Sequence, residues 1–506
     1  GDSFSSDLLK RQSMKTATNV GSRFAAGALV LWSIVCASAA FAKQPPSRPN
    51  VLFIAVDDLR PEIACYGATS ITPNMDRLAS EGVQFTRAYC NQAVCGASRV
   101  SLMTGLYPEF TGERTYHVTG WRDRYPDVIT LNQSFKASGY NTVGLGKVYH
   151  GSGGPGTDPD NWTTWHKVGG KGYGTPRGQL KFRKSKDRNR GPSTDDADVP
   201  DDTYADGNRA ILGARLIEEL ADGDQPFFLA VGFTKPHLPF VAPAKYWNLY
   251  EQDAFSMPSN LGVPQGYPDY ASNKNAGELR SYSDIPREGL PTKFPMAVNR
   301  RLLHGYHACV SYTDRNIGVL LDALESSGAV QNTIVVLWAD HGWKLGDHSS
   351  WCKHTNFECD ARVPLIVRFP GRNMAGSKTA ALVELIDIYP TLCELAGVEA
   401  PTHLQGRSFA GVLTSPDVEH RICAYSSYPH TYQKRRVVGH SIRTQQHRFT
   451  QWWDAKTDEV VDEIATDLIA DPGETRPAEL APKKLGEYRK LLRSRVLDAR
   501  SAMKTN

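Results

Sequence analysis

Residues Asn50 to Val56 read Asn-Val-Leu-Phe-Ile-Ala-Val, an apolar run without polar alternation that stops on two adjacent acids, Asp57 and Asp58. Unbroken apolar strands belong to sheets covered by helices on both faces, because a strand with one wet face would alternate. The pattern recurs. A helix near Met75 to Ser80, a helix near Leu131 to Ala137 and a strand Asn141 to Gly146 precede a helix Ala205 to Leu220 and a strand Phe227 to Phe233. A long helical pattern from about Ala297 to Ser326 then feeds the strand Thr333 to Ala339, which stops at Asp340-His341, and Pro364 to Phe369 follows as another strand. Alternating strands and helices predict an α/β fold: a large, mainly parallel sheet sandwiched by helices. Open sheets of this kind bind ligands at the carboxyl ends of their strands, so the pattern predicts that Asp57, Asp58, Asp340 and His341 converge.

The flanking segments differ. Met14, Lys15 and Arg23 precede the apolar stretch Phe24 to Val35, and Ala40-Phe41-Ala42 offers a small-residue cleavage site. Residues 1–47 therefore read as a leader and secretory signal, with export to a periplasmic or extracellular space. The alternative is a membrane anchor, but the stretch is shorter than the about 20 residues that span a bilayer, so no transmembrane span is expected in the mature form. Residues 48–415 are expected to form the catalytic domain. From about residue 416 short strand-like pieces (Ile422 to Tyr425, Ser441 to Arg443, Arg448 to Trp453) and a charged final helix, Lys484 to Met503, predict a small α+β C-terminal domain, 416–506. Residues 151–200, rich in Gly, Pro and Asp, read as a long solvated loop; the alternative is a lip that attracts a polyanion.

With 58 basic and 54 acidic residues the formal charge is only +4, which lacks the basic field that duplex DNA requires, so nucleic acid is not an expected partner. Nine cysteines, one of them Cys36 in the leader, would permit disulfides after export, but their spacing gives no pairing and no Cys-x-x-Cys zinc pattern.

Two ionised carboxylates as close as Asp57 and Asp58 repel unless a cation neutralises them, and a second acidic cluster at another strand end points to a metal ion. Carboxylates favour Ca²⁺ or Mg²⁺; an imidazole ligand is less usual for such hard cations and leaves the identity open. Cys95-Gly96-Ala97-Ser98-Arg99 precedes a short helical stretch, Val100 to Thr104, which puts Cys95 at a helix N-terminus where backbone amides stabilise developing negative charge. A lone cysteine would otherwise be a small buried hydrophobe.

That segment, continuing through Ser101, Thr104 and Gly105, resembles the C-x-[PA]-S-R signature of type I sulfatases, whose cysteine is oxidised to formylglycine. More narrowly, the chain is similar to the iduronate-2-sulfatases and their bacterial relatives at Asn50 to Arg60, Ile71 to Gly105, Gly146 to His150, Thr234 to Phe240, Asp340 to Phe357, Val383 to Gly397 and Ser441 to Thr444. The resemblance implies an alkaline-phosphatase-like fold and a sulfuric ester hydrolase acting on a sulfated carbohydrate, with a uronate 2-sulfate as first expectation. It implies that Asp57, Asp58, Asp340, His341 and modified Cys95 bind the metal, normally calcium. It further implies that Arg99 and Lys147 hold the formylglycine hydrate with His150 beside it, and that His237 and Lys353 bind the sulfate group and protonate the leaving alcohol. One hydrate hydroxyl would attack sulfur, and the other would then expel sulfate and regenerate the aldehyde.

Each auxiliary residue has a plainer reading: His150 as a strand cap, Lys353 and His354 as surface loop residues. Trp343, Lys344, His348 and His354 are candidates for shaping the sugar pocket or for solvent exposure. Ala97 stands where many members carry proline, which bears on whether an aerobic formylglycine-generating enzyme or the anaerobic route matures Cys95. Two rivals remain: a formylglycine-dependent phosphodiester or phosphonate monoester hydrolase, and a catalytically silent glycan-binding protein in which Cys95 stays a thiol.

Overall fold

The computed structural model describes residues 48–501 except 119, 152–157, 185–190, 372–373 and 433. The expected leader and signal therefore lie outside the described residues, as do residues 502–506. Among the described residues no helix is long and apolar enough to cross a membrane.

The apolar run at the start is strand β1 (Asn50–Val56), buried along nearly its whole length. It lies at the middle of a nine-stranded sheet with β2 (Val83–Tyr89), β3 (Asn141–Gly146), β4 (Thr164–His166), β5 (Phe227–Phe233), β6 (Thr333–Ala339), β7 (Arg362–Arg368), β8 (Ser377–Thr379) and β9 (Val383–Glu384). The order across the sheet is β8-β2-β7-β6-β1-β5-β3-β4, with β9 also on β2. Strand β1 pairs in parallel with β5 (Val51 opposite Phe228) and with β6 (Val51 opposite Ile334), while β7 runs antiparallel to both its neighbours. The sheet is thus mixed and mainly parallel. Helices α1 (Pro73–Glu81), α2 (Cys95–Thr104), α3 (Ala205–Ala221), α4 (Met296–Ser326) and α5 (Ile388–Ala396) accompany it. All seven residues of β5 and of β6 are buried, which is why these strands show no alternation.

Strand β2 has no counterpart in the sequence reading, because Gln84, Thr86 and Arg87 interrupt its apolar pattern; Gln84 is nonetheless buried and donates to the Cys65 carbonyl at 3.1 Å. The 151–200 loop reading needs correction: β4 extends the sheet edge, Pro176–Lys184 is helical, and Thr194–Asp195 pairs with Phe240–Val241. Asp195 is buried because its carboxylate accepts the backbone N–H groups of Gly174 and Thr175, so its acidity closes a turn instead of facing water. The side chains of the basic run Lys181 to Arg190 lie outside the described residues.

The C-terminal domain holds an antiparallel sheet of β10 (Ala424–Tyr432), β11 (Arg435–Arg443), β12 (His447–Asp454) and β13 (Val460–Asp467), covered by helix α6 (Pro482–Arg500). Its strands are longer than the pieces predicted, since polar residues such as Ser426, Ser427 and His440 are buried within them. Its apolar cluster includes Tyr425, Ile442, Phe449, Leu492 and Val496, and it takes in Tyr107 and Ile386 from earlier in the chain. All eight cysteines after residue 47 are free thiols, so burial and packing hold this fold without bridges.

Candidate active site

Four strands of the central sheet, β1, β3, β5 and β6, run in parallel and end on the same side, and each delivers polar residues there. Beyond β1 come Asp57 and Asp58, beyond β6 Asp340 and His341, beyond β3 Lys147 and His150, and beyond β5 His237. Asp58 adopts a left-handed backbone conformation with φ 59°, a conformation that costs a non-glycine residue free energy. It is held there by its N–H on Asp340 Oδ1 at 3.1 Å and by the Tyr306 hydroxyl donating to its carbonyl at 2.9 Å.

Cys95 is the first residue of α2, every residue of which is buried. Gly96 is required next to it: a Cβ there would lie 2.6 Å from the Tyr116 carbonyl oxygen, and nearer still to that of Thr115, so only glycine lets the 115–116 backbone cover the helix start. One turn on, Arg99 is fully buried, with Nε 2.8 Å from Asp340 Oδ2, Nη2 3.4 Å from Asp57 Oδ1 and Nη1 donating to the Val148 carbonyl at 3.0 Å. Its guanidinium also lies 5.5 Å from the Trp338 ring centre. Ser98 Oγ donates to the Asp340 carbonyl at 2.5 Å, tying α2 to the end of β6.

Cations crowd the carboxylates. Lys147 Nζ bonds to Asp57, and Lys353 Nζ lies 2.8 and 3.1 Å from the two oxygens of Asp58. Burial pushes the Asp57 carboxyl up, but Lys147, His237, Arg99 and Lys353 together hold it well below the ordinary range. For Asp58 burial prevails over Lys353 and its carboxyl is raised. The Cys95 thiol is pushed well up, first by burial and then by Asp57, so as an unmodified cysteine it is a protonated and feeble nucleophile.

His341 Nε2 lies 3.2 Å from Cys95 Sγ and 3.5 Å from both Asp58 Oδ1 and Asp340 Oδ2. One donor atom each from Asp57, Asp58, Cys95 and His341 lies within 4.8 Å of the others, all four residues being buried. This set fits a divalent cation: two converging carboxylates favour a hard ion, while the imidazole and the Cys95 sulfur leave its identity open. Asp340 borders the group. Its Oδ1 accepts the N–H groups of Asp58 and His341 and its Oδ2 accepts from Arg99, so in this geometry its oxygens orient neighbours.

His237 Nδ1 donates to the Leu238 carbonyl at 2.6 Å, which turns Nε2 toward Asp58 Oδ2 at 3.9 Å. His150 is half-buried, with Nδ1 lacking a hydrogen-bond partner among the described residues, and burial followed by the Lys147 charge lowers its pKa to about 4. Lys353 is buried over the Trp343 ring at 4.8 Å, not a surface residue. Trp343, Lys344 and His348 are all buried: Trp343 lies under Lys353, Lys344 pairs with buried Asp360, and His348 Nε2 donates to the Gly473 carbonyl at 2.8 Å on the wall of a separate cavity that Arg60, Asn260 and Glu474 also line. His354 is half-buried, its Nδ1 3.2 Å from the Asn273 amide and its ring 5.7 Å from that of Tyr428.

The chain matches the family described as Sulfatase over residues 49–398, and residues 346–501 match the family described as N-sulphoglucosamine sulphohydrolase, C-terminal. The chain belongs to the sulfatase family. Among its relatives, mouse iduronate 2-sulfatase is 33% identical over 83% of this chain and 87% of that one. A protein solved in complex with its substrate, D-glucosamine-2-N,6-O-disulfate, superposes with a TM-score of 0.70 at 25% identity, covering 90% of this chain and 98% of that one. The phosphonate monoester hydrolase of Agrobacterium radiobacter shares the fold, with a TM-score of 0.66 at 22% identity, covering 89% of this chain and 96% of that one. The expected alkaline-phosphatase-like sulfatase fold, homologous to iduronate 2-sulfatase, is therefore the one present.

One residue of this sulfatase site escaped the sequence reading. Glu278 comes from the stretch between Tyr250 and Met296, which has only short 3-10 turns, and places Oε1 2.9 Å from His237 Nε2 and Oε2 3.1 Å from Lys353 Nζ. An isolated glutamate in an aperiodic segment gives no sequence signal; only the tertiary placement singles it out.

Proposed function

We propose that this sulfatase removes sulfate from a sulfated glycan, with a uronate 2-sulfate as the first substrate to test, through formylglycine formed at Cys95 and a divalent metal ion, Ca²⁺ or Mg²⁺. The observation that carries the reading is the buried group of Asp57, Asp58, Cys95 and His341 ringed by Arg99, Lys147, His237 and Lys353. The bound metal and the formylglycine hydrate would supply charge neutralisation and a nucleophilic oxygen at that group. Asp57, Asp58, His341 and residue 95 would hold the ion, with Asp340 bordering it.

The remaining residues bind and orient. Arg99, locked between Asp57 and Asp340, and Lys147 on Asp57 hold residue 95 in a water-poor pocket, and with Lys353 they face the negative charge that develops on sulfate oxygens. His237, with Nδ1 fixed on Leu238 and Nε2 2.9 Å from Glu278 Oε1, stands beside the group as the acid for the leaving oxygen. His150, kept neutral by burial beside Lys147, offers a further donor or acceptor to the oxygens at residue 95.

Likeness to mouse iduronate 2-sulfatase supports the uronate, and the glucosamine disulfate seen in the solved relative makes an amino sugar the first competitor. A phosphonate monoester hydrolase activity is the second reading, favoured by the shared fold alone. We further propose that residues 1–47 direct export to the periplasm or beyond, that a formylglycine-generating or anaerobic maturation enzyme converts Cys95, and that a C-terminal subdomain begins near residue 416.

The test is release of sulfate from a panel of sulfated disaccharides and of phosphonate from an aryl phosphonate, with conversion of Cys95 confirmed by peptide mass. Release from 2-sulfated uronates alone upholds the whole reading; release only from another sugar keeps the chemistry and discards the substrate. Turnover of the phosphonate alone sinks the sulfatase reading, and an unconverted Cys95 in protein made with its maturation enzyme supports the silent glycan binder.

A further inference from the structure

We propose that Glu278 is the positioning residue of the pair that receives the sulfate ester, a carboxylate that bridges the His237 imidazole and the Lys353 ammonium and fixes their spacing. The proposal rests on the reading above, in which those two side chains meet the sulfate group and its leaving oxygen.

Three observations carry it. First, Glu278 bridges the two side chains, one oxygen on each, at 2.9 Å from His237 Nε2 and 3.1 Å from Lys353 Nζ. Burial pushes its carboxyl up, but Lys353 and His237 bring it well below the ordinary range, so the bridge is an anion. Second, the other anionic partner of Lys353 is Asp58, which is also a candidate metal ligand. With Asp58 committed to a cation, the buried Lys353 ammonium would need another carboxylate, and the His237 imidazole beside it would need an acceptor to fix its orientation. Glu278 is that carboxylate. It also has an oxygen within 4.8 Å of one of Asp58, with His237 Nε2 in the same group, so the bridge stands at the edge of the metal group.

Third, the segment bearing Glu278 is built into the site. Leu279 is fully buried and Tyr282 nearly so, which anchors the turn. Upstream, Asn273 Nδ2 donates to the Lys353 carbonyl at 2.9 Å, and the Ser350 hydroxyl donates to the Asn273 carbonyl, so two hydrogen bonds stitch this segment to the loop that carries Lys353. A carboxylate fixed in this way sets the spacing of the two side chains before substrate arrives, and geometry prepared in advance lowers the barrier where reacting groups must meet within a fraction of an ångström.

The experiment compares Glu278→Gln and Glu278→Asp with the parent enzyme, all with Cys95 conversion matched by peptide mass, on the sulfated disaccharide the parent hydrolyses. Gln keeps the shape and removes the charge; Asp keeps the charge and shortens the reach. The expected result is a kcat lower by about 100-fold in the Gln variant with KM changed by less than about 3-fold, an intermediate loss in the Asp variant, and unchanged thermal unfolding in both. A Gln variant with parental kcat overturns the proposal, as does an equal loss in both variants accompanied by a matching loss of folded protein. If the parent releases no sulfate from any disaccharide, the functional reading fails instead, and the two failures stay distinct.

Discussion

The catalytic cluster and the seam between the sheet and the C-terminal domain both bury carboxylates beside arginines, yet they do so with opposite economies. In the seam the charges of Asp387 and Glu384 are answered in full. Asp387 accepts Arg421 Nε at 2.7 Å, its other oxygen takes a second N–H of the same guanidinium, and the Arg407 amide adds a bond at 2.7 Å. Glu384 accepts from Asn91 at 2.9 Å, Tyr107 at 2.6 Å, the Tyr425 amide at 3.0 Å and Arg495 of α6 at 3.1 Å. In the candidate catalytic cluster Asp57 and Asp58 are adjacent, Asp58 keeps a costly φ, His150 Nδ1 has no hydrogen-bond partner among the described residues, and Arg99, Lys147 and Lys353 crowd the rim beside His237. A seam satisfied within itself stabilises the fold. A cluster with a surplus of oriented charge is prepared for a ligand, and it keeps that surplus at some expense in stability.

If the contrast holds, the two regions separate under mutation. Cys95→Ala is expected to reduce sulfate release by at least about 10⁴-fold, because no other group at α2's start replaces the nucleophile. Its unfolding midpoint should stay close to that of the parent, and residual turnover above a hundredth would remove Cys95 from the mechanism. Asp340→Asn comes next. Its carboxylate aligns Arg99 and the backbone of Asp58 and His341, so activity and metal affinity should fall together by about 10- to 100-fold. Titration of metal into chelator-treated protein reads both, and full activity after chelation would refute a metal at the site.

The same contrast governs what was legible in the sequence. Strands β1, β3, β5 and β6 could be read residue by residue because full burial leaves an unbroken apolar run, and because parallel neighbours must end together, the convergence of Asp57, Asp58, Asp340 and His341 followed. Arg99, Lys147, His237 and Lys353 entered only through the family's motifs; nothing in their spacing places them. Glu278 and the seam were invisible for one reason. Asn91, Glu384, Arg421 and Arg495 are brought together from positions up to 404 residues apart (495 − 91), and a polar residue satisfied by such distant partners looks in sequence like a surface residue. Strand β2 and the buried turn at Asp195 were hidden by nearer partners, the Cys65 carbonyl for Gln84 and the Gly174 and Thr175 amides for Asp195.

Asp387→Asn tests the seam. The substitution leaves buried Arg421 with Glu384 at 3.6 Å as its remaining carboxylate, and since breaking a buried pair from one side costs up to about 3–5 kcal/mol, the denaturant midpoint should drop clearly while turnover per folded molecule stays at the parental level. Loss of turnover without loss of stability would mean that the seam also shapes the site through Asn91, four residues before Cys95.

The smallest effect concerns Glu474, a seam residue that is answered only in part. Its Oε1 takes Arg448 Nε at 2.8 Å and its Oε2 the Glu358 amide at 2.6 Å, but burial, opposed by Arg448 and aided by the Glu358 carboxylate, raises its pKa to about 7. In the unfolded chain a glutamate titrates near 4.5, so between about pH 4.5 and 7 the folded protein binds the proton that the unfolded chain has released. The group's contribution is therefore full below pH 4.5 and is lost as pH rises through 7, by about 3 kcal/mol. Groups such as Asp387, held below the usual carboxylate range, act in the opposite sense at lower pH, so the parent's stability profile alone mixes the two. Glu474→Gln separates them: its amide has no proton to lose, and the parent-minus-variant difference in unfolding free energy should fall steadily from pH 5 to pH 8. A flat difference would mean that Arg448 keeps Glu474 ionised throughout, and the seam would then be as fully answered here as it is at Asp387.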